Sequence, residues 1–131
     1  MSIETNKQIV SNFFKAVDAG LSDEAFGAFA EDLRFDLVAP PPVGGVRDMT
    51  EFGRFYAEVM APAMAAPLHV KLIGMTAEGD RVAAETVSEC VNTKGVPYRN
   101  RYHTLFVIRD GKIVEMKEYL DSAHLQQFLD V

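Results

Sequence analysis

Hydrophobic positions along this chain change period about halfway. Up to Met60 they recur every three or four residues. Ile9, Val10, Phe13, Phe14 and Val17 form one stripe, and Gly20 follows where a left-handed residue closes a helix most cheaply. This spacing predicts a first helix from about Ile3 to Ala19. Ser22 followed by Asp23 and Glu24 starts a short second helix, with Phe26, Phe29 and Leu33 as its buried stripe. Phe35, Leu37 and Val38 predict a strand, which Pro40, Pro41 and Pro42 must end because prolines offer no backbone donor. Asp48 and Glu51 have capping-box spacing ahead of Phe52, Phe55, Tyr56, Val59 and Met60, the stripe of a third helix that exits between Pro62 and Pro67.

Beyond Leu68 the period is two. Leu68 to Thr76, Arg81 to Asn92, Pro97 to Arg109 and Lys112 to Leu120 predict four strands, joined by turns at Glu78-Gly79-Asp80, Lys94-Gly95 and Asp110-Gly111. Asp121 or Ser122 caps a last short helix carrying Leu125, Phe128 and Leu129. Helices followed by an antiparallel meander predict a single α+β domain over 1–131, with the helices on one face of the sheet. Gly44-Gly45 follows a proline run, so it reads as a loop at a cavity mouth and not as a phosphate cradle.

The last hairpin decides which polar groups point inward, because a slip of one residue reverses a strand. A two-residue loop at Asp110-Gly111 pairs Arg109 with Lys112 and His103 with Glu118. A three-residue loop, Arg109-Asp110-Gly111, pairs Tyr102 with Glu118. The second register sorts the residues better: Asn100, Tyr102, Thr104, Phe106, Ile108, Val114, Met116, Glu118 and Leu120 share one face. Arg99, Arg101, His103, Glu115 and Lys117 share the other. The first would expose Phe106 at a loss of roughly 1.5 to 3 kcal/mol. The charged face also carries Leu105, Val107, Ile113 and Tyr119, more apolar surface than a solvated sheet needs, and a homodimer partner would cover it.

Composition narrows the function classes. The net charge of −6, with Lys and Arg scattered, argues against nucleic acid. No apolar run reaches the roughly 20 residues needed to span a bilayer, and MSIETNKQIV lacks a basic segment before an apolar one. One cysteine, Cys90, excludes an internal disulfide and suits a reducing cytoplasm, where the protein is expected to reside. His69, His103 and His124 show no ligand spacing, so no metal is predicted. Serine and cysteine nucleophile signatures are absent.

FFKAVDAG early, FAEDLRFD next, and Tyr-x-Asn-x-Tyr, DGKI and EYLD late resemble the nuclear transport factor 2-like superfamily, and more closely its SnoaL-like, ketosteroid-isomerase-related branch. The resemblance covers nearly the whole chain. It implies a cone-shaped barrel in which a curved, mostly antiparallel sheet wraps the N-terminal helices around one deep pocket, often in dimers packed through the outer sheet face. It leaves chemistry open, since members include isomerases, polyketide cyclases, epoxide hydrolases, dehydratases and non-catalytic binders. The steroid isomerases' tyrosine, aspartate base and protonated aspartic acid align with Phe13, Leu37 and a position near Thr104, so that site is not reproduced. Of the Asp-Arg-Asp set of limonene-epoxide-hydrolase-like members only the last position has a counterpart, Glu118, with Glu85 and Val87 near the others. A polyketide-cyclase pattern, one acid/base carboxylate in an apolar cavity, demands fewer residues.

These readings give a candidate site. Glu118 is the acid/base, since a carboxylate in an apolar pocket has a raised pKa. Tyr102 orients it or donates to a ligand oxygen, with Asp36 or Glu85 as a second carboxylate. Glu85 faces inward if the Lys94-Gly95 loop has an even number of residues, and Asp36 turns inward only through a strand irregularity before Pro40. Asn100 offers donor and acceptor to a carbonyl, although an asparagine at a strand end also ties down loops. Phe13, Tyr56, Thr104, Met116 and Leu120 complete the expected lining. The expected ligand is a small apolar or carbonyl-containing molecule, handled without a cofactor by an isomerase- or cyclase-like enzyme or by a non-catalytic binding or assembly module.

Overall fold

A computed structural model describes residues 2–130. Helix α1 (Ile3–Asp18) begins at Ser2, whose hydroxyl accepts from the Thr5 amide at 3.1 Å, and buries Val10, Phe13 and Phe14. It closes on Gly20 at φ +74°. Helix α2 spans only Ser22–Gly27. Phe29 and Leu33, expected on that helix, instead open strand β1 (Phe29–Val38), where both are buried. A β1 irregularity between Phe29 and Arg34 explains the apparent helical spacing, because it interrupts the strand's alternation. Strand β2 (Gly45–Arg47) forms where only a loop was expected. Gly44 makes the reversal possible, since a Cβ there would overlap the Ala39 backbone.

Helix α3 (Met49–Phe55) starts with the predicted capping box between Asp48 and Glu51. It widens into a π-helical turn at Tyr56–Met60 and ends in α4 (Ala61–Ala63), where Pro62 cannot donate to the preceding turn. The meander follows as β3 (His69–Glu78), β4 (Arg81–Val91), β5 (Pro97–Arg109) and β6 (Lys112–Leu120), and α5 (Ser122–Leu129) is capped by Asp121. The strand order is β2-β1-β6-β5-β4-β3. Every neighbouring pair is antiparallel except β1 with β6. The curved sheet does not close into a barrel. Helix α1 packs on β3 and β4, α3 on β1, and α5 on β5. Phe13, Phe14, Phe29 and Phe106 meet through ring centroids 5.2 to 5.8 Å apart, filling the space between helices and concave sheet. Among the described residues no helix is long and apolar enough to cross a membrane.

Both hairpin geometries considered for the Asp110-Gly111 turn need correction. Asp110 (φ 51°) and Gly111 (φ 78°) are both left-handed, which makes a two-residue turn pairing Arg109 with Lys112 and Ile108 with Ile113. One step later Val114 is left over as a bulge, so Val107 meets Glu115 and Thr104, not Tyr102 or His103, meets Glu118. The bulge restores the inner face inferred from the three-residue loop: Tyr102, Thr104, Phe106, Met116, Glu118 and Leu120 lie together. Ile113 replaces Val114 as its fully buried member. His103 and Tyr119 lie on the outer face, as expected, where they pair with each other. At the preceding hairpin five residues, Asn92 to Val96, separate the last ladder pair of Val91 and Pro97. There Asn92 accepts from the Lys94 and Val96 amides and Gly95 takes φ +79°.

Candidate active site

The concave sheet and the helices enclose a cavity of about 180 Å³. That is comparable with a cavity that holds one benzene ring. Its roof is aromatic and apolar, with Phe13 and Val17 from α1, Phe26 from α2, and Phe52, Phe55 and Tyr56 from α3 and the π turn. A wider turn of this kind at a cavity wall is a frequent feature of functional sites. Leu37, Thr104, Met116, Glu118 and Leu120 form the floor, and Tyr98, Tyr102 and Thr86 form the polar end.

Glu118 is the only charged side chain among the described residues lining this cavity. In the sheet it stands between Leu37 of β1 and Thr104 of β5, which is 2% exposed. Among the described residues no protein group hydrogen-bonds its carboxylate. A carboxylate removed from water without a donor favours its neutral form. Burial pushes the Glu118 pKa up from 4.5 to about 7. Its side chain is nonetheless half-buried rather than sealed, because the cavity reaches it. A carboxyl group with a pKa in that range is able to give or take a proton near neutral pH.

A chain of hydroxyls flanks it. The Tyr102 hydroxyl lies 2.7 Å from Ser88 Oγ and 3.0 Å from the Tyr98 hydroxyl, and Asn100 Nδ2 donates to Tyr98 at 2.9 Å. Burial raises both tyrosine pKa values, Tyr98 to about 12 and Tyr102 further. Tyr102 is therefore a neutral donor and not a base. It is diagonal to Glu118 across β5 and β6, about 7 to 8 Å away along the sheet.

Thus the structure brings Glu118, Tyr102, Phe13, Tyr56, Thr104, Met116 and Leu120 to one cavity. It leaves three other candidates outside. Glu85 is exposed on the outer face opposite His103, because the turn at Lys94-Gly95 contains an odd number of residues. Asp36 alternates with the inward Phe35 and Leu37, faces outward and lies 3.9 Å from Arg34. Asn100 is buried, but its amide is fully engaged: Oδ1 accepts from the Arg101 and Asp121 amides, while Nδ2 donates to Tyr98 and the Asp121 carbonyl. It ties β5 to the start of α5 and does not line the cavity. Tyr98 and Ser88 were missed. Tyr98 shares the strand parity of Tyr102, so period-two reading could have found it, whereas Ser88 required the loop parity that Asn92 sets. Among the described residues no three metal-ligating side chains cluster. His124 accepts from the Arg99 amide through Nε2, and His69 lies beside Asp18.

Comparison with known proteins agrees with this fold. The family model of the SnoaL-like domain matches residues 10–116. A search of curated proteins finds no match. Among solved structures, a nuclear transport factor 2-like protein of unknown function from Burkholderia pseudomallei K96243 superposes with TM-score 0.84 at 18% identity, covering 100% of both chains. TerC, co-crystallised with polyporic acid, is similar with TM-score 0.82 at 15% identity over 97% of this chain and 99% of its own. IdmH from Streptomyces antibioticus, a proposed polyketide cyclase, is similar with TM-score 0.75 at 19% identity over 96% and 99%.

Proposed function

The chain belongs to the SnoaL-like domain family, and from that premise we propose that its cavity binds a small, largely apolar carbonyl compound and moves a proton on it without a cofactor. The observation that carries this reading is a lone carboxylate, Glu118, held without a protein donor in an apolar cavity that the neutral Tyr102 also lines. Ionised Glu118 takes a proton from a carbon next to the ligand carbonyl. The electron pair moves onto the carbonyl oxygen, where Tyr102 donates a hydrogen bond to the developing charge. Protonated Glu118 then returns the proton at another carbon, which is isomerisation, or the enolate carbon closes a ring on a second carbonyl of the same ligand and Glu118 protonates the alkoxide. Both outcomes leave Glu118 as it began.

Glu118→Gln keeps the shape of the side chain and removes the proton exchange. Turnover of any accepted substrate should fall at least roughly 100-fold, with ligand binding retained. Unchanged turnover would remove Glu118 from the mechanism. The second reading, a ligand carrier without catalysis, draws on the position of Asp36 and Glu85 outside the cavity, which leaves a single carboxylate among the described residues there to do all proton work. Mass spectrometry of small molecules carried through purification, followed by incubation of wild type and Glu118→Gln with them, separates the two: a carrier returns its ligand unchanged in both.

A second copy is the proposed partner at the outer sheet face. Leu105 and Val107 are only half-buried there, and Tyr119 is 47% exposed, between charged neighbours of both signs. A reducing cytoplasm suits the buried Cys90 thiol, which has no disulfide partner.

A further inference from the structure

We infer that Asn100 sets the direction of the hydroxyl chain and so makes Tyr102 donate into the cavity. This rests on the reading that Tyr102 polarises a ligand oxygen, and it assigns a positioning role to a residue that touches no ligand. The orientation of the Asn100 amide follows from its partners. Two backbone amides, Arg101 N at 2.8 Å and Asp121 N at 3.1 Å, point at one side of it, and only the carbonyl oxygen can accept from both. The NH2 group therefore faces the Asp121 carbonyl at 3.0 Å and the Tyr98 hydroxyl at 2.9 Å.

Tyr98 accepts from Asn100, so its own proton has one remaining protein partner among the described residues, the Tyr102 oxygen at 3.0 Å. The Tyr98 ring cannot swing away, because it is 1% exposed and stacked on Phe128 and His124. Tyr102 accepts from Tyr98 and is left with a single proton, which goes to Ser88 Oγ or to a molecule in the cavity. When a ligand oxygen takes that proton, the Ser88 hydroxyl can rotate and donate to Tyr102 in turn. Tyr102 then accepts two hydrogen bonds while giving one, and each accepted bond strengthens the one it gives. Ser88 thereby stabilises Tyr102 in both states.

Two readouts test this separately from the reading beneath it. Without ligand, the Tyr102 hydroxyl proton is followed by NMR. Tyr98→Phe, which keeps the stacked ring, should move that resonance upfield, and an unmoved resonance overturns the chain. With acetophenone carrying a labelled carbonyl as probe, infrared difference spectra report the hydrogen bond it receives. Tyr102→Phe should raise the carbonyl frequency, and Asn100→Asp should raise it too although Tyr102 is intact, because a carboxylate accepts from Tyr98 and turns the chain around. A rise in Tyr102→Phe with the wild-type frequency in Asn100→Asp overturns the role of Asn100 while Tyr102 keeps its own. A frequency unmoved in both variants overturns the proposed role of Tyr102 and the role of Asn100 with it.

Discussion

Glu118 carries an electrostatic cost that its replacement should relieve. Its folded pKa of about 7 lies above the ordinary 4.5, so between those values the folded chain holds a proton that the unfolded chain has lost. Stability therefore falls as pH rises through this window, by at most about 3 kcal/mol once Glu118 is ionised. The penalty is absent below about pH 4.5. Thermal melts should show Glu118→Gln more stable than wild type at pH 8 and the difference vanishing near pH 4; a gap independent of pH would contradict the assignment. At this scale the sequence was informative about Glu118 and Tyr102, because alternation alone puts both on an apolar face. It misled on Asn100, whose side chain suits a ligand but whose bonds are all spent on three backbone groups and the Tyr98 hydroxyl, and such saturation appears only when the neighbouring strand end is in place.

At the scale of elements, the bulge at Val114 keeps Glu118 on the inner face. A two-residue turn without it would send Met116, Glu118 and Leu120 outward, since the side-chain period is two. Deleting Val114 removes the extra residue, leaves a regular ladder and should preserve folding and ligand binding. Deleting Lys117 should reverse Glu118 and abolish binding, with both outcomes read by calorimetry with a retained ligand. In the meander, strand positions and most faces were legible from periodicity, whereas pairing and the inward Ile113 were not. Turn type and bulge shift the register by amounts that compensate from Glu115 onward, so two wrong pairings and the right faces for Met116, Glu118 and Leu120 are compatible with the same residues. The β1 irregularity misled in a similar way, giving Phe26, Phe29 and Leu33 a helical spacing across a helix end and a bent strand. The capping box was plain because it is local: Asp48→Ala should cost about 1 kcal/mol in a denaturant titration.

The whole molecule is an open curved sheet closed over by helices, with one face spent on the cavity and the other left to solvent or a partner. The family resemblance anticipated the fold over nearly its whole length, while the open sheet and the outward Asp36 and Glu85 depend on tertiary geometry. If a second copy covers the outer face, sedimentation should give a dimer, and Leu105→Glu with Tyr119→Arg should give a folded monomer that keeps its cavity. A monomeric wild type would remove the dimer and leave the site untouched. The site itself depends on Glu118 titrating near neutrality. The most direct measurement is the carbon NMR shift of its side-chain carboxyl followed from pH 3 to 9, assigned by loss of the signal in Glu118→Gln. A midpoint near 7 is the predicted result, and a midpoint near 4.5 would show a solvated carboxylate and contradict the proposed chemistry.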